Sequence, residues 1–367
     1  MDFDSLTLDA ARSRDGIKWA QAGPGVIPAW VADMDFPLPE AVVEAVARRV
    51  ATDLGYPAWD DDATCPPLAE AFAARMEARY GWPADPAHVR AFTDVNQALQ
   101  VLLDVTTSAG DAVATHVPAY DPFLATIAGM GRRLLPIPVA ADGSFALPAE
   151  PAAVLLLVNP HNPTGRSYTR AELESLAHYA ERHGSLVIAD EIHADLTYAP
   201  ARHIPFATIL PERTVTLTSA SKAFNLGGLR CAVAHLGARP VREALAARPA
   251  HIYGAPGVLA VDATIAAWRH GDPWLAEVMR VLDRNRRLVA GRLPSGAGHR
   301  TPDATYLAWI DFGVPDAAGF LLREARVLLS PGPRYGGAGT FARLNFATSA
   351  PILEEILARI GAAINRA

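Results

Sequence analysis

Four short polar segments stand out because each follows an apolar run of the kind that forms a buried strand. They are His116 to Tyr120 (HVPAY), Asn159 to Gly165 (NPHNPTG), Asp190 to His193 (DEIH) and Ser219 to Asn225 (SASKAFN). Together they carry an amine, carboxylates, amides, hydroxyls and a phenol. Ligands of open α/β sheets bind at the carboxyl edge of the strands, so we expect these side chains to converge on one site.

This set of groups meets the chemical needs of pyridoxal 5'-phosphate (PLP). The aldehyde of PLP requires an amine, which Lys222 can supply as a Schiff base, and the pyridine nitrogen requires a buried carboxylate, which Asp190 can supply. Asn162 can donate to the phenolic oxygen, and Tyr120 can stack on the ring. The sequence therefore predicts a PLP site built around Lys222.

The phosphate of PLP requires hydroxyls, backbone N–H groups and an arginine. Ser219 and Ser221 offer hydroxyls next to Lys222. Arg230 lies a short distance further along the chain, at the start of the next predicted strand, and we expect it to reach the phosphate.

The elements that position these groups follow from the alternation of short apolar runs with helical patterns. Thr169–His183 is predicted as a helix, since Thr169 and Glu172 can form a capping box and Gly184 ends the pattern. Such alternation predicts an α/β fold with an open, mostly parallel sheet. Its predicted strands are rich in Val, Leu and Ala and are Asp111–His116, Ala153–Val158, Leu186–Asp190, Thr214–Ser219 and Cys231–Gly237.

Beyond Pro240 the pattern changes to long helices and a few strands, which indicates a second, smaller α+β domain. We predict a large PLP-binding domain over 45–245 and a small domain made of 1–44 and 246–367. The C-terminal elements are predicted at Pro256–His270, Pro273–Arg292, Tyr306–Asp311, Arg343–Phe346 and Ile352–Arg366.

Composition excludes several other classes of protein. The formal net charge of −6 gives no attraction to nucleic acid or to an anionic membrane, and the apolar runs are far shorter than a membrane span. The acidic N-terminus lacks the pattern of a signal peptide. With only Cys65 and Cys231 the chain has no disulfide framework, so we expect a cytoplasmic location. No metal-ligand spacing, no dinucleotide-binding turn after a strand and no nucleophile elbow is found.

The order N-P-x-N-P-T-G, D-E-I-H, S-x-S-K-x-F-N resembles fold-type I PLP enzymes of the class I/II aminotransferase superfamily. Other segments resemble its cystathionine β-lyase branch, often called MalY/PatB, which also shares His193 where many aminotransferases carry tyrosine. These segments are WVADMDFPLP (Trp30–Pro39), GYP (Gly55–Pro57), PAYDPF (Pro118–Phe123), DEIHADL (Asp190–Leu196), SKAFNLGGLR (Ser221–Arg230) and ATYLAWID (Ala304–Asp311). The resemblance spans nearly the whole chain.

What the resemblance implies is a carbon–sulfur β-lyase of the PLP-dependent transferase fold type I, acting on cystathionine or a similar S-substituted cysteine. In it Lys222 would move the Cα proton, Asp190 would pair with the pyridine N–H, and Tyr120 would stack on the ring. Arg343 would hold the substrate α-carboxylate through two hydrogen bonds. Trp30, His193 and Asn162 would lie beside the substrate.

The same resemblance places the phosphate at the turn Thr93–Gln97, with Val95 and Asn96 beside Ser219 and Arg230. That turn lacks the glycine or serine common in the superfamily. Tyr56 would reach the phosphate of the other subunit, which implies a homodimer with shared active sites.

Each candidate residue also has an ordinary structural interpretation. Lys222 could be a surface lysine, Asp190 a helix cap, Asn162 a turn residue and Tyr120 a core side chain. Arg343 could form a surface ion pair, and His193 a satisfied buried histidine. Two other functions use the same motifs: an aminotransferase, which needs a keto-acid acceptor, and a PLP-binding regulatory protein with little catalysis.

Overall fold

The inner strands of the central sheet arise where short apolar runs can be buried on both faces. The computed structural model describes residues 2–366. Its strands are β1 Ile27–Pro28, β2 Val89–Phe92, β3 Ala112–Val117, β4 Arg133–Pro138, β5 Val154–Val158, β6 Leu186–Asp190, β7 Thr214–Thr218, β8 Ala232–Leu236, β9 Gly298–His299, β10 Leu307–Asp311, β11 Val327–Leu328, β12 Ser330–Pro331 and β13 Phe341–Asn345.

A seven-stranded sheet has the order β2-β8-β7-β6-β5-β3-β4. The neighbours from β7 to β4 pair in parallel, whereas β8 runs antiparallel to both β7 and β2. All five residues of β5, β7 and β8 are buried, as expected for strands covered by helices on both faces. The predicted α/β fold with a mostly parallel central sheet is confirmed.

The helices carry the capping signals that the sequence predicted. Thr169 and Glu172 form a reciprocal capping box, and Gly184 ends the same helix with a left-handed φ of 70°. The helices are α1 Leu8–Arg12, α2 Ile17–Ala20, α3 Glu40–Thr52, α4 Pro66–Tyr80, α5 Val95–Thr106, α6 Asp121–Gly129, α7 Arg170–His183, α8 Arg239–Ala246, α9 Val258–His270, α10 Asp272–Arg292, α11 Ala317–Glu324 and α12 Ala350–Ile364. Among residues 2–366, no helix is both long and apolar enough to cross a bilayer.

A second, antiparallel sheet of order β12-β13-β10-β9 lies in the C-terminal part of the chain. Helices α10 and α12 pack on each other beside it. The N-terminal strand β1 pairs in parallel with β11, which ties the first forty residues to this part of the molecule. The domain limits given above stay a prediction, and their outermost residues, Met1 and Ala367, lie outside the described range.

Candidate active site

A cavity of about 370 Å³ lies at the carboxyl edge of the parallel strands. The four polar segments end their strands here because parallel strands direct their C-terminal loops to one edge. Ten of the residues singled out in the sequence line it: Val95, Asn96, Tyr120, Asn162, Asp190, His193, Ser219, Ser221, Lys222 and Arg230.

Lys222 stands in a turn just beyond β7, next to the buried Ala223 and Phe224. Its Nζ donates a hydrogen bond to the carbonyl oxygen of Ala32 at 2.8 Å. Burial lowers the pKa of the Lys222 amine; the charge of Asp33 opposes this shift and the positive charge of Arg343 adds to it. A larger share of the amine is therefore neutral, which is the form that acts as a nucleophile or a base.

Asp190 is the last residue of β6 and is 4% exposed. Its carboxylate accepts one backbone hydrogen bond, from the N–H of Ile192 at 3.1 Å. Burial raises the pKa of Asp190 to about 7, since this site supplies little to stabilise its charge. A cationic N–H donor facing the carboxylate would provide the missing stabilisation, and a pyridinium ring is such a donor.

Arg343 on β13 is 3% exposed and contacts the cavity through Asn162. Its Nη1 donates to Asn162 Oδ1 at 2.9 Å, and its Nη2 donates to the carbonyl oxygen of Trp30 at 2.8 Å. The guanidinium also lies 4.9 Å from the ring centre of Tyr335. These contacts fix the guanidinium directly behind Asn162, although Arg343 is not itself among the lining residues. Trp30 contributes its backbone here, and its side chain does not line the cavity.

The predicted phosphate site combines the first residues of α5 with the loop before β8. Asp94 caps the helix by accepting from the N–H of Gln97 at 2.9 Å, and it also pairs with Arg230. The Ser219 hydroxyl donates to the carbonyl oxygen of Cys231 at 2.6 Å. A phosphate bound at this helix terminus would compete with Asp94 for the guanidinium of Arg230.

Tyr120 and His193 lie in the cavity as uncharged groups. Burial raises the pKa of the Tyr120 phenol to about 12. His193 is 2% exposed, and burial, together with the nearby charges of Lys222 and Arg343, lowers its pKa to about 3. His193 therefore stays neutral at physiological pH and can contact a ligand only as a neutral donor or acceptor.

Tyr56 lies away from this cavity. Its side chain is 91% exposed and lines a separate cavity of about 550 Å³ with Leu54 and Pro57. Its predicted contact with a second subunit stays a prediction.

The sequence motifs did not single out Ala32 and Asp33, which also line the cavity. Both belong to the segment WVADMDFPLP, which supported the family resemblance but received no role beyond Trp30. The signal that could have drawn attention to Asp33 is the pair of acidic residues, Asp33 and Asp35, inside an otherwise apolar N-terminal segment.

The mostly parallel sheet, with a lysine and a buried aspartate at its carboxyl edge, defines an α/β enzyme of PLP-dependent fold type I. The sequence model of the family "Aminotransferase class I and II" matches residues 31–360, and the chain belongs to this family. The resemblance inferred from the motifs is thereby confirmed.

Individual relatives match over almost their full length. The chain is 34% identical to cystathionine beta-lyase PatB of Bacillus subtilis, over 100% of both chains. It is 33% identical to cystathionine beta-lyase of Corynebacterium glutamicum, covering 97% of this chain and 99% of the relative. The PLP-bound C-S lyase of Staphylococcus hominis superposes with a TM-score of 0.88 at 27% identity, covering 99% of this chain and 98% of that one.

Proposed function

We propose that this chain is a PLP-dependent carbon–sulfur β-lyase that converts cystathionine or a related S-substituted cysteine to a thiol, pyruvate and ammonia. The observation that carries the proposal is the position of Lys222 and Asp190 in one cavity, at the ends of neighbouring strands β7 and β6. Full-length relatives that bear the name cystathionine beta-lyase support the choice of reaction.

The residues around the cavity fit PLP. When bound, the cofactor supplies an electron sink that makes the Cα–H bond of an amino acid acidic. Lys222 provides the amine that holds its aldehyde carbon, and the carboxylate of Asp190 suits the ring nitrogen. The groups proposed to hold the remaining parts of the cofactor are Asn162, Tyr120, Ser219, Ser221, Arg230 and the N-terminal backbone of α5 at Val95 and Asn96.

The protein's own groups orient the substrate and move a proton. Arg343, acting with Asn162, holds the α-carboxylate, which fixes the rotation of the substrate about its Cα–N bond. The Lys222 amine, released when the substrate amine replaces it, takes the Cα proton, and its lowered pKa increases the share of it that is neutral and can act as a base. A thiolate then leaves from Cβ, with His193 beside it as a neutral contact.

Arg343→Lys should lower kcat/KM for the amino-acid substrate by about 100-fold, mainly through KM. Lysine keeps the charge but cannot maintain the two fixed hydrogen bonds to Asn162 and the Trp30 carbonyl oxygen. Steady-state kinetics give the two constants. Arg280→Lys, at a position 66% exposed on α10, is the matched control and should leave both unchanged. An unaltered KM in the Arg343 variant would contradict the assignment.

We also propose a homodimer in which Tyr56 reaches the phosphate site of the partner. The nearly complete exposure of this phenol, beside the exposed Leu54, favours an additional protein surface over it. The proposed binding partner of each active site is a small-molecule substrate, an amino acid.

We propose the cytoplasm as the location, because Cys65 and Cys231 are both free and buried, which favours a reducing compartment.

An assay with cystathionine and no keto acid separates the lyase from an aminotransferase. We expect continuous release of pyruvate together with free thiol. A single turnover that resumes only when a keto acid is added would instead identify an aminotransferase. A cofactor absorbance band that no amino acid alters would identify a PLP-binding regulatory protein.

A further inference from the structure

Asp33 lines the same cavity as Lys222, on the side that opens to solvent. Ile17, which is 49% exposed, and the exposed Gly228 mark this side. A Cβ atom built on Gly227 would lie 3.3 Å from Asp33 Oδ1, so the carboxylate lies against this glycine turn. Asp33 therefore borders the mouth of the cavity, whereas Asp190 lies at the end of a central strand.

Side chains from distant parts of the sequence fix the backbone around Asp33. Lys222 Nζ and Tyr306 Oη each donate to the carbonyl oxygen of Ala32 at 2.8 Å. Asn345 Nδ2 donates to the carbonyl oxygen of Asp33 itself at 2.6 Å. The Asp33 side chain is thus presented to the cavity from a firmly held segment, as expected for a group that must meet a ligand at a defined position.

Among the side chains of residues 2–249 and 252–366 and the backbone N–H groups of residues 2–366, none forms a hydrogen bond or ion pair with the Asp33 carboxylate. The Nζ of Lys18 donates a hydrogen bond to the carbonyl oxygen of Asp33, but its ion pair is with the carboxylate of Asp35, at 2.7 Å from Oδ2. Arg230 pairs with Asp94. Lys222 is close enough for the charge of Asp33 to raise its pKa, but its Nζ donates to the carbonyl oxygen of Ala32. The half-buried Asp33 carboxylate therefore keeps its hydrogen-bonding capacity for a cationic group on a ligand.

We propose that Asp33 binds an ammonium group on the leaving-group side of the substrate, and so selects S-substituted cysteines whose thiol portion is cationic. This inference rests on the proposed β-lyase function. Arg343 and Asn162 would hold the α-carboxylate, and Lys222 would take the proton from Cα. Asp33 lies on the open side of the cavity, where a long substituent on sulfur can extend. Attraction between opposite charges is strong there because the site is partly shielded from water.

The test compares S-(3-aminopropyl)-L-cysteine with S-butyl-L-cysteine, in which an ammonium group and a methyl group occupy equivalent positions. The unmodified enzyme should prefer the aminopropyl substrate. In Asp33→Asn, kcat/KM should fall about 10- to 100-fold for the aminopropyl substrate and stay within about threefold for the butyl substrate. Glu174→Gln removes the same charge from a residue 57% exposed on α7 and should alter neither value.

Binding is measured separately by calorimetry with two acids that lack the α-amino group and therefore cannot undergo β-elimination. These are 3-(3-aminopropylsulfanyl)propanoic acid and 3-(butylsulfanyl)propanoic acid. The unmodified enzyme should bind the first more tightly, and Asp33→Asn should remove that preference. Equal losses for both substrates, or a preference that survives in Asp33→Asn, overturn the inference. If the unmodified enzyme releases no pyruvate from either substrate or from cystathionine, yet keeps the binding preference, the lyase proposal fails and the Asp33 site stands.

Discussion

Lys222→Ala lowers the rate of pyruvate release by at least about 10⁴-fold, because the change removes both the nucleophile that holds the cofactor and the base that takes the Cα proton. The loss is expected in kcat, since Arg343 and Asn162 still hold the substrate carboxylate. PLP can remain bound without a covalent bond, through the groups proposed for its ring and phosphate. The measurement is a steady-state assay, combined with the absorbance of the bound cofactor.

The chain makes this prediction unusually easy to check, because Lys18 and Lys222 are its only lysines. Lys18 is 4% exposed and its Nζ is bound to Asp35. Borohydride treatment of the PLP-loaded protein should therefore attach the cofactor to the peptide that contains Lys222, and mass spectrometry can tell the two peptides apart. Attachment to Lys18, or full activity in Lys222→Ala, would disprove the assignment. Thermal unfolding of the variant checks that it is folded.

The central sheet could be predicted because its inner strands are short and uniformly apolar. Runs such as Val154–Val158 are buried on both faces, so their composition alone indicates their position. The edge strand β4 was missed, because Arg133–Pro138 alternates exposed and buried residues and contains two prolines. The strand β2 was missed as well, since its four residues include Arg90.

The part of the site formed by strand ends could be predicted in the same way, because one rule of topology brings these segments together. The contribution of the N-terminal segment around Ala32 could not be predicted from the sequence. The hydrogen bond from Lys222 to the Ala32 carbonyl oxygen joins residues 190 positions apart, and no local pattern encodes such a contact. Arg343 also reaches the site from the second sheet, where only the family resemblance identified it.

A carboxylate buried at the end of β6 is the second group whose loss should have a large effect. Asp190→Asn keeps the shape of the side chain but removes the charge that would hold a pyridinium proton. Removing one partner of a buried charged pair costs several kcal/mol, so turnover should fall by about 10³-fold, with weaker PLP binding. Kinetics and a titration of the cofactor-free protein with PLP measure the two effects. Near-normal turnover would refute the proposed pairing.

The cofactor-free protein provides an independent test of Asp190, because its stability should depend on the protonation of this carboxyl group. Burial raises the pKa of Asp190 from 3.8 to about 7, so the folded state retains a proton that the unfolded chain releases. The contribution of Asp190 to the free energy of unfolding should therefore decrease as the pH rises from about 4 to about 7. Asp190→Asn removes this contribution, so the variant should gain stability relative to the original protein at pH 8 but not at pH 4. Denaturant unfolding at the two pH values measures the difference, and an equal difference at both would show that this carboxyl group is not held neutral by burial.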